Sequence, residues 1–281
     1  MRVAGPFIRR TECWVFQLAA EPAEIGFPRP ADRWNERRAF QDSGRCKQTR
    51  YRSPMPSDLD RFPLPAAVLF DLDGTLVDTV ETRIAAWLKA LEEAGLPTSR
   101  EQLAPLIGLD GKRLAKEVAA VDGVPIDEAR AEEIDHLSGE IYERLNHSPR
   151  PLAGIRRLVD AIESRDIRWA IATSSRKAQV ATSVAALGLA AEPMIVDASH
   201  VKHAKPEPDL LLLAARELGV EPARCWYVGD STWDMVSAVA AGMVAIGVTA
   251  GSAVDSVALI GAGAAAVIAT LIELAEALDS R

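Results

Sequence analysis

From Ala66 onward the chain alternates short apolar runs with longer stretches of helical period, and this alternation constrains the fold more than any other feature. The runs fall at 66–70, 167–172, 194–196, 225–228, 244–248 and 265–268, with helical patterns at 155–165, 176–187, 207–218, 232–241 and 270–278. Short runs that are apolar at nearly every position read as strands covered on both faces. Strands separated by single helices pair in parallel, with helices on each side of the sheet. The predicted fold is therefore α/β, a doubly wound Rossmann-like parallel sheet. In such sheets ligands bind beyond the C-terminal ends of the strands, so the residues that follow each run are the first place to look for chemistry.

Acids and small hydroxyls stand at those ends. Asp71-Leu72-Asp73-Gly74-Thr75-Leu76-Val77-Asp78 follows the first run, and Asp71 and Asp73, two residues apart on extended backbone, can face one crevice while Gly74 turns the chain away. Like charges this close call for a divalent cation or a division into acid and base. Thr173-Ser174-Ser175 follows the second run and precedes a helix, an arrangement that suits an anion. Lys205 stands before Pro206 and the next helix, and Asp230 and Asp234, one helical turn apart, follow the run at 225–228. Taken singly, each has a plain reading: a turn, an N-cap, a solvated lysine, a capping acid.

Together, in the order acid pair, hydroxyl, lysine, acid pair, they resemble the four motifs of the haloacid dehalogenase superfamily, over roughly 66–250. The resemblance implies that Asp71 is the nucleophile that takes a phosphoryl group as an aspartyl phosphate, and Asp73 the general acid and base. It implies that Thr173 and Ser174 bind the phosphoryl oxygens and that Lys205 holds both nucleophile and phosphate. Mg2+ would sit on Asp71, the Asp73 carbonyl and Asp230, with Asp234 in support. Because a halide leaving group needs no proton, the presence of Asp73 favours phosphoryl transfer over dehalogenation. The nearest groups are the phosphoglycolate phosphatases and β-phosphoglucomutases, which implies a Mg2+-dependent phosphatase of small phosphorylated metabolites. A sugar phosphomutase is the alternative, with Arg83 where mutases usually carry histidine. A non-catalytic relative would be expected to lack one of Asp71, Asp73, Lys205 or Asp230, and none is missing.

The helical patterns at 80–95, 111–121 and 127–145 lie between the first strand and Pro151. They read as an inserted helical cap, residues 79–150, with the core formed by 65–78 and 151–281. The loop Ile107-Gly108-Leu109-Asp110-Gly111-Lys112-Arg113 places Lys112 and Arg113 at a helix start, where either can meet an anionic substrate group. Trp87 and Arg83 are further candidates for substrate contact. Residues 1–64 carry seven of the 17 prolines and no sustained period, which predicts a mostly disordered extension. Met55 offers an alternative start, and Glu12, Glu21 and Glu24 argue against a transit peptide.

A net charge of −8 argues against a nucleic-acid partner. No apolar run reaches the roughly 18 residues of a membrane span. Cys13, Cys46 and Cys225 are too scattered for a disulfide framework or zinc site, which fits a reducing cytoplasm. No protein partner is legible in the sequence.

Overall fold

The computed structural model describes residues 58–281, so the disorder expected for residues 1–57 lies outside the described residues. The first described residues correct the boundary drawn at 64. Asp58–Arg61 form a 3-10 turn that places Leu59 in the core, 1% exposed, with Phe62 packed beside it. Arg61 Nη2 donates to the Ala265 carbonyl, and Arg281 Nη2 donates to the Asp60 carbonyl. One apolar residue in a single turn carries no period from which a sequence reader can infer burial.

The chain then runs through β1 (Ala67–Phe70), β2 (Val77–Asp78), α1 (Val80–Glu93), α2 (Arg100–Leu103), α3 (Gly111–Val121), α4 (Glu128–Leu145) and β3 (Arg150–Pro151). It continues through α5 (Ile155–Glu163), β4 (Arg168–Ala172), α6 (Lys177–Ala186), β5 (Ile195–Val196), α7 (Asp209–Leu218) and β6 (Cys225–Gly229). The last elements are α8 (Thr232–Ala240), β7 (Val244–Val248), α9 (Ser256–Gly261), β8 (Ala266–Ile268) and α10 (Leu271–Asp279).

Six strands form one parallel sheet in the order β5-β4-β1-β6-β7-β8. Every residue of β1 and β6 is buried, as expected for strands covered on both faces. Alternation divides them between two cores. Val68, Phe70, Trp226 and Val228 meet α5 and α10 on one face, while Ala67, Leu69 and Tyr227 meet α7 and α8 on the other. β1 lies between β4 and β6, so the chain builds out one side through β4 and β5 and then crosses back to β6. That reversal is the switch point where an open parallel sheet leaves a crevice.

Helices α1, α3 and α4 pack on one another through a third cluster that includes Ile84, Trp87, Leu91, Leu114, Val118 and Ile134. Asp127 starts α4 by accepting a hydrogen bond from the Arg130 amide at 2.8 Å. The antiparallel ribbon of β2 and β3 pairs Val77 with Pro151 and Asp78 with Arg150, where the chain leaves the sheet layer and returns to it. The short helix α2 has a capping box: Ser99 Oγ accepts from the Gln102 amide and Gln102 Oε1 from the Ser99 amide. Among the described residues no helix is long and apolar enough to cross a membrane.

Candidate active site

Three adjacent strands deliver the motif residues to one crevice. Asp71 leaves β1 with its amide bonded to the Val228 carbonyl at 2.9 Å. Thr173 leaves β4 with its amide on the Val196 carbonyl at 3.0 Å, and Asp230 follows β6 directly. Gly74 turns the loop at φ +79, and a Cβ there would overlap the Asp230 carboxylate. Glycine is thus required at this position both for its backbone conformation and for the close approach.

Lys205 is the centre of the charge arrangement. Its ammonium is 1% exposed and donates to Asp71 Oδ1 at 2.5 Å, Asp234 Oδ1 at 2.8 Å and Tyr227 Oη at 3.2 Å. Tyr227 in turn donates to Asp234 Oδ1 at 2.8 Å. Ser231 donates its amide and its hydroxyl to Asp234 Oδ2, at 2.9 and 2.6 Å, in the capping box that starts α8. Both oxygens of Asp234 are therefore engaged, Oδ1 by Lys205 and Tyr227 and Oδ2 by Ser231. Asp230 Oδ1 accepts from Thr75 Oγ1 at 3.0 Å. Asp71 Oδ2 and Asp230 Oδ2 accept no hydrogen bond among the described residues.

Asp71, Asp230 and Asp234 offer carboxylate oxygens that lie within 4.8 Å of one another. Three buried acids stand around the one ammonium of Lys205, and the proton affinity of Asp71 and Asp230 rises. Burial pushes the Asp71 carboxyl up to about 7, with Lys205 opposing and Asp234 adding to the shift. Burial and the charges of Asp234 and Asp71 raise Asp230 well above the carboxylate range. Hard oxygen donors with excess negative charge fit a hard divalent cation.

The anion side of the crevice is also formed. Thr173 Oγ1 accepts from the Ser175 amide at 3.1 Å, which leaves its own proton free to donate. Ser174 Oγ is buried without a hydrogen-bond partner among the described residues, an omission that a bound oxyanion would fill. The cleft is lined by Asp71, Thr173, Ser174, Lys205 and Asp230 at the core end.

Asp73 departs from expectation in its surroundings. Its carboxylate turns away from the other acids and accepts from Thr79 Oγ1 (2.5 Å), Tyr142 Oη (2.8 Å), Ser175 Oγ (3.0 Å) and Arg83 Nη2 (2.8 Å) and Nε (3.1 Å). Burial opposes ionisation here. The Arg83 guanidinium and the hydrogen bonds from Thr79, Arg83 and Tyr142 outweigh it and hold the carboxyl below its usual range. Arg83 stacks over the Tyr142 ring, 3.4 Å from its centroid, and bonds Ser175 Oγ at 2.6 Å. It lines the cleft while acting on Asp73. Trp87 also lines the cleft, although 7% exposure places most of it in the cap cluster.

Two expected substrate contacts are corrected. Lys112 pairs with Glu128 and Glu132 at 3.1 and 3.6 Å. Arg113 pairs with Glu117 and Glu207 at 3.8 and 3.6 Å, and neither residue lines the cleft. Both cations are taken up by acids outside the cleft, Glu117 on the same helix and the others on neighbouring segments. Sequence reasoning missed Tyr142, Thr79, Asp135 and Gln179, which reach the site from helical faces or the cap hinge. The hydroxyl of Ser175 lay inside a recognised motif without an assigned role.

Comparison with known proteins places this geometry. The profile of the haloacid dehalogenase-like hydrolases matches residues 68–248. A fructose-1-phosphate phosphatase of Escherichia coli is 34% identical over 187 residues, 65% of this chain and 96% of the relative. A β-phosphoglucomutase of Bacillus subtilis is 32% identical over 190 residues, 66% of this chain and 84% of the relative. The crystal structure of a hydrolase from Pseudomonas syringae superposes with a TM-score of 0.71 at 32% identity, covering 76% of this chain and 98% of the other. With all four motifs converging on one crevice at the switch point of the sheet, the chain belongs to the haloacid dehalogenase-like hydrolase family.

Proposed function

We propose that the protein is a Mg2+-dependent phosphatase of small phosphorylated metabolites that works through an aspartyl phosphate. One observation carries the reading: Lys205, itself fixed by Asp234, holds Asp71 Oδ1, while Asp71 Oδ2 accepts no hydrogen bond among the described residues and Asp71 lines the cleft, as an attacking carboxylate must. A carboxylate nucleophile approaching a phosphate dianion meets charge repulsion. Lys205 offsets part of it, and Thr173 Oγ1 and Ser174 Oγ are placed to donate to the transferring oxygens. Asp71 and Asp230 would hold Mg2+, which when bound neutralises charge on the phosphoryl oxygens.

Asp73 supplies the proton chemistry. Ionised against Arg83, it serves as the acceptor that takes a proton from water in the second half of the reaction. To deliver a proton to the leaving oxygen in the first half it must swing off Arg83 and take a proton up. The phosphatases among the relatives support hydrolysis as the net reaction. The mutase among them makes transfer back to a sugar hydroxyl the reading to be tested against it.

The test is phosphate release from a panel of phosphorylated sugars and short acids, with Mg2+, with EDTA, and with Asp71→Asn. Release that requires Mg2+ and is abolished in Asp71→Asn is the expected result. Isomerisation of a sugar phosphate without release of phosphate would replace the phosphatase by the mutase.

A further inference from the structure

The cap end of the cleft has a different character from the phosphoryl end. Trp87, Ile107, Leu109 and Leu114 give it an apolar wall, and against that wall stands one carboxylate, Asp135 of α4. Asp135 Oδ2 accepts from Arg176 Nη2 at 3.0 Å, whereas Oδ1 accepts no hydrogen bond among the described residues. Its side chain is 21% exposed, and a Cβ at Gly111 would overlap its carboxylate, so Gly111 is what makes room for it. Gln179 lines the cleft as well, with Oε1 accepting from the Arg176 amide and Arg83 Nη1 at 3.3 and 3.4 Å.

The cations of this region are all committed. Among the described residues that line the cleft, the cationic side chains are Arg83 and Lys205. Arg83 is paired with Asp73 at 2.8 Å, and Lys205 with Asp71 and Asp234. Beside the cleft, Arg176 is paired with Glu132 and Asp135 at 2.5 and 3.0 Å, and Lys112 and Arg113 point to other acids. A substrate carboxylate at the cap end would meet Asp135, whose one cation, Arg176, is already shared with Glu132. Like charges in a partly dehydrated cleft repel, and buried carboxylates need a partner. A hydroxyl in the same place donates to Asp135 Oδ1 in a charge-assisted hydrogen bond. The C–H faces of a carbon chain or sugar ring can lie on Trp87 and its apolar neighbours.

We infer that Asp135 is a specificity-determining residue, and that the substrate is a phosphomonoester whose organic part is neutral and hydroxylated, not one that carries a carboxylate. This inference rests on the phosphatase reading and narrows it. It separates polyol and sugar phosphates from phosphorylated short acids, two classes that the motif residues treat alike.

The experiment compares kcat/KM of the wild-type enzyme, with Mg2+, on glucitol 6-phosphate and fructose 1-phosphate as neutral substrates, phosphoglycolate as the carboxylate substrate, and p-nitrophenyl phosphate. At least one neutral substrate should exceed phosphoglycolate tenfold or more. Asp135→Asn keeps the shape and removes the charge, so the ratio of neutral to carboxylate substrate should fall at least tenfold, chiefly through KM. A purely structural role for Asp135 would lower both substrates together and leave the ratio unchanged, which would overturn the assignment. Asp135→Ser gives a second route to the same ratio if the asparagine variant fails to fold, and the wild-type preference is decisive without either. Hydrolysis of p-nitrophenyl phosphate accompanied by a preference for phosphoglycolate would overturn the inference and leave the phosphatase reading standing. Hydrolysis of no ester, p-nitrophenyl phosphate included, would overturn both.

Discussion

Replacing Arg83 by methionine removes the cation against which Asp73 is ionised while keeping most of the side-chain volume. The two side chains are each 11% exposed and meet at 2.8 Å, so this pair behaves as a buried one. Removing one partner of such a pair costs about 3–5 kcal/mol, because the remaining charge loses its compensation. Thr79, Tyr142 and Ser175 still donate to Asp73 in the variant, which puts the expected loss near the lower end, about 3 kcal/mol. At about 2–4 °C per kcal/mol for a domain of this size, the melting temperature should fall by about 6–12 °C. The sign of the pH dependence follows from the depressed Asp73 carboxyl. In the wild type its contribution to stability is present above the unfolded value near 4 and is lost as the pH falls through the lower folded value. In Arg83→Met burial is no longer opposed, Asp73 takes up a proton more readily, and the gap between the two proteins should narrow as the pH approaches 4. Urea denaturation at pH 7 and pH 4.5 measures both quantities. The double variant Asp73→Asn/Arg83→Met should recover about 2 kcal/mol relative to the sum of the single changes. A loss below about 1 kcal/mol at pH 7, or additive single and double variants, would show that Arg83 and Asp73 do not depend on each other.

Three further outcomes are expected. Because the Asp71 carboxyl is raised to about 7 and Asp230 is raised well above the carboxylate range, the metal-free protein loses the contribution of Asp71 to stability as pH climbs from about 4 through about 7. Mg2+ competes with those protons, so thermal shifts should show larger stabilisation by Mg2+ at pH 8 than at pH 5.5; equal shifts would remove these acids from the metal site. Leu59→Ala should cost about 2–4 kcal/mol by opening a cavity in the core, whereas deleting residues 1–54 should leave melting and activity in place, both checked by calorimetry and turnover. Lys112→Ala should change stability by less than about 1 kcal/mol, since its pairs with Glu128 and Glu132 are largely solvated, and it should leave substrate preference unaltered on the same ester panel.

The sheet was legible because a strand buried on both faces leaves a plain mark, an apolar run closed by small or acidic residues. β1, β4 and β6 all carry it, and the acids and hydroxyl that follow them were legible for the same reason. The ribbon of β2 and β3 was not, since two residues have no period, and α9 was too short to show one. α2 carries a capping-box spacing at Ser99 and Gln102, but four residues hold too few apolar positions to show a helical period. Around the site, Tyr142 and Asp135 were invisible for a different reason. Each lies on α4 among alternating charged and apolar residues, and nothing local distinguishes the face that meets the cleft from the face that meets the cap interior. Lys112 shows the converse error, a local charge with an evident use whose direction is set by acids on a neighbouring helix.

The order of strands in the sheet has a consequence for how this protein is made. Lys205 reaches back 134 residues to Asp71, and Thr75 waits for Asp230 across 155, so no short stretch of the chain contains the candidate site. Closing loops of that length precedes any gain from the contacts that they bring together, which makes such pairings slow to form. A chain still emerging during synthesis has Asp71, the proposed nucleophile, long before it has Lys205 and Asp230. On the proposed mechanism turnover can begin only after β6 has been laid beside β1, so the onset of activity would mark that pairing.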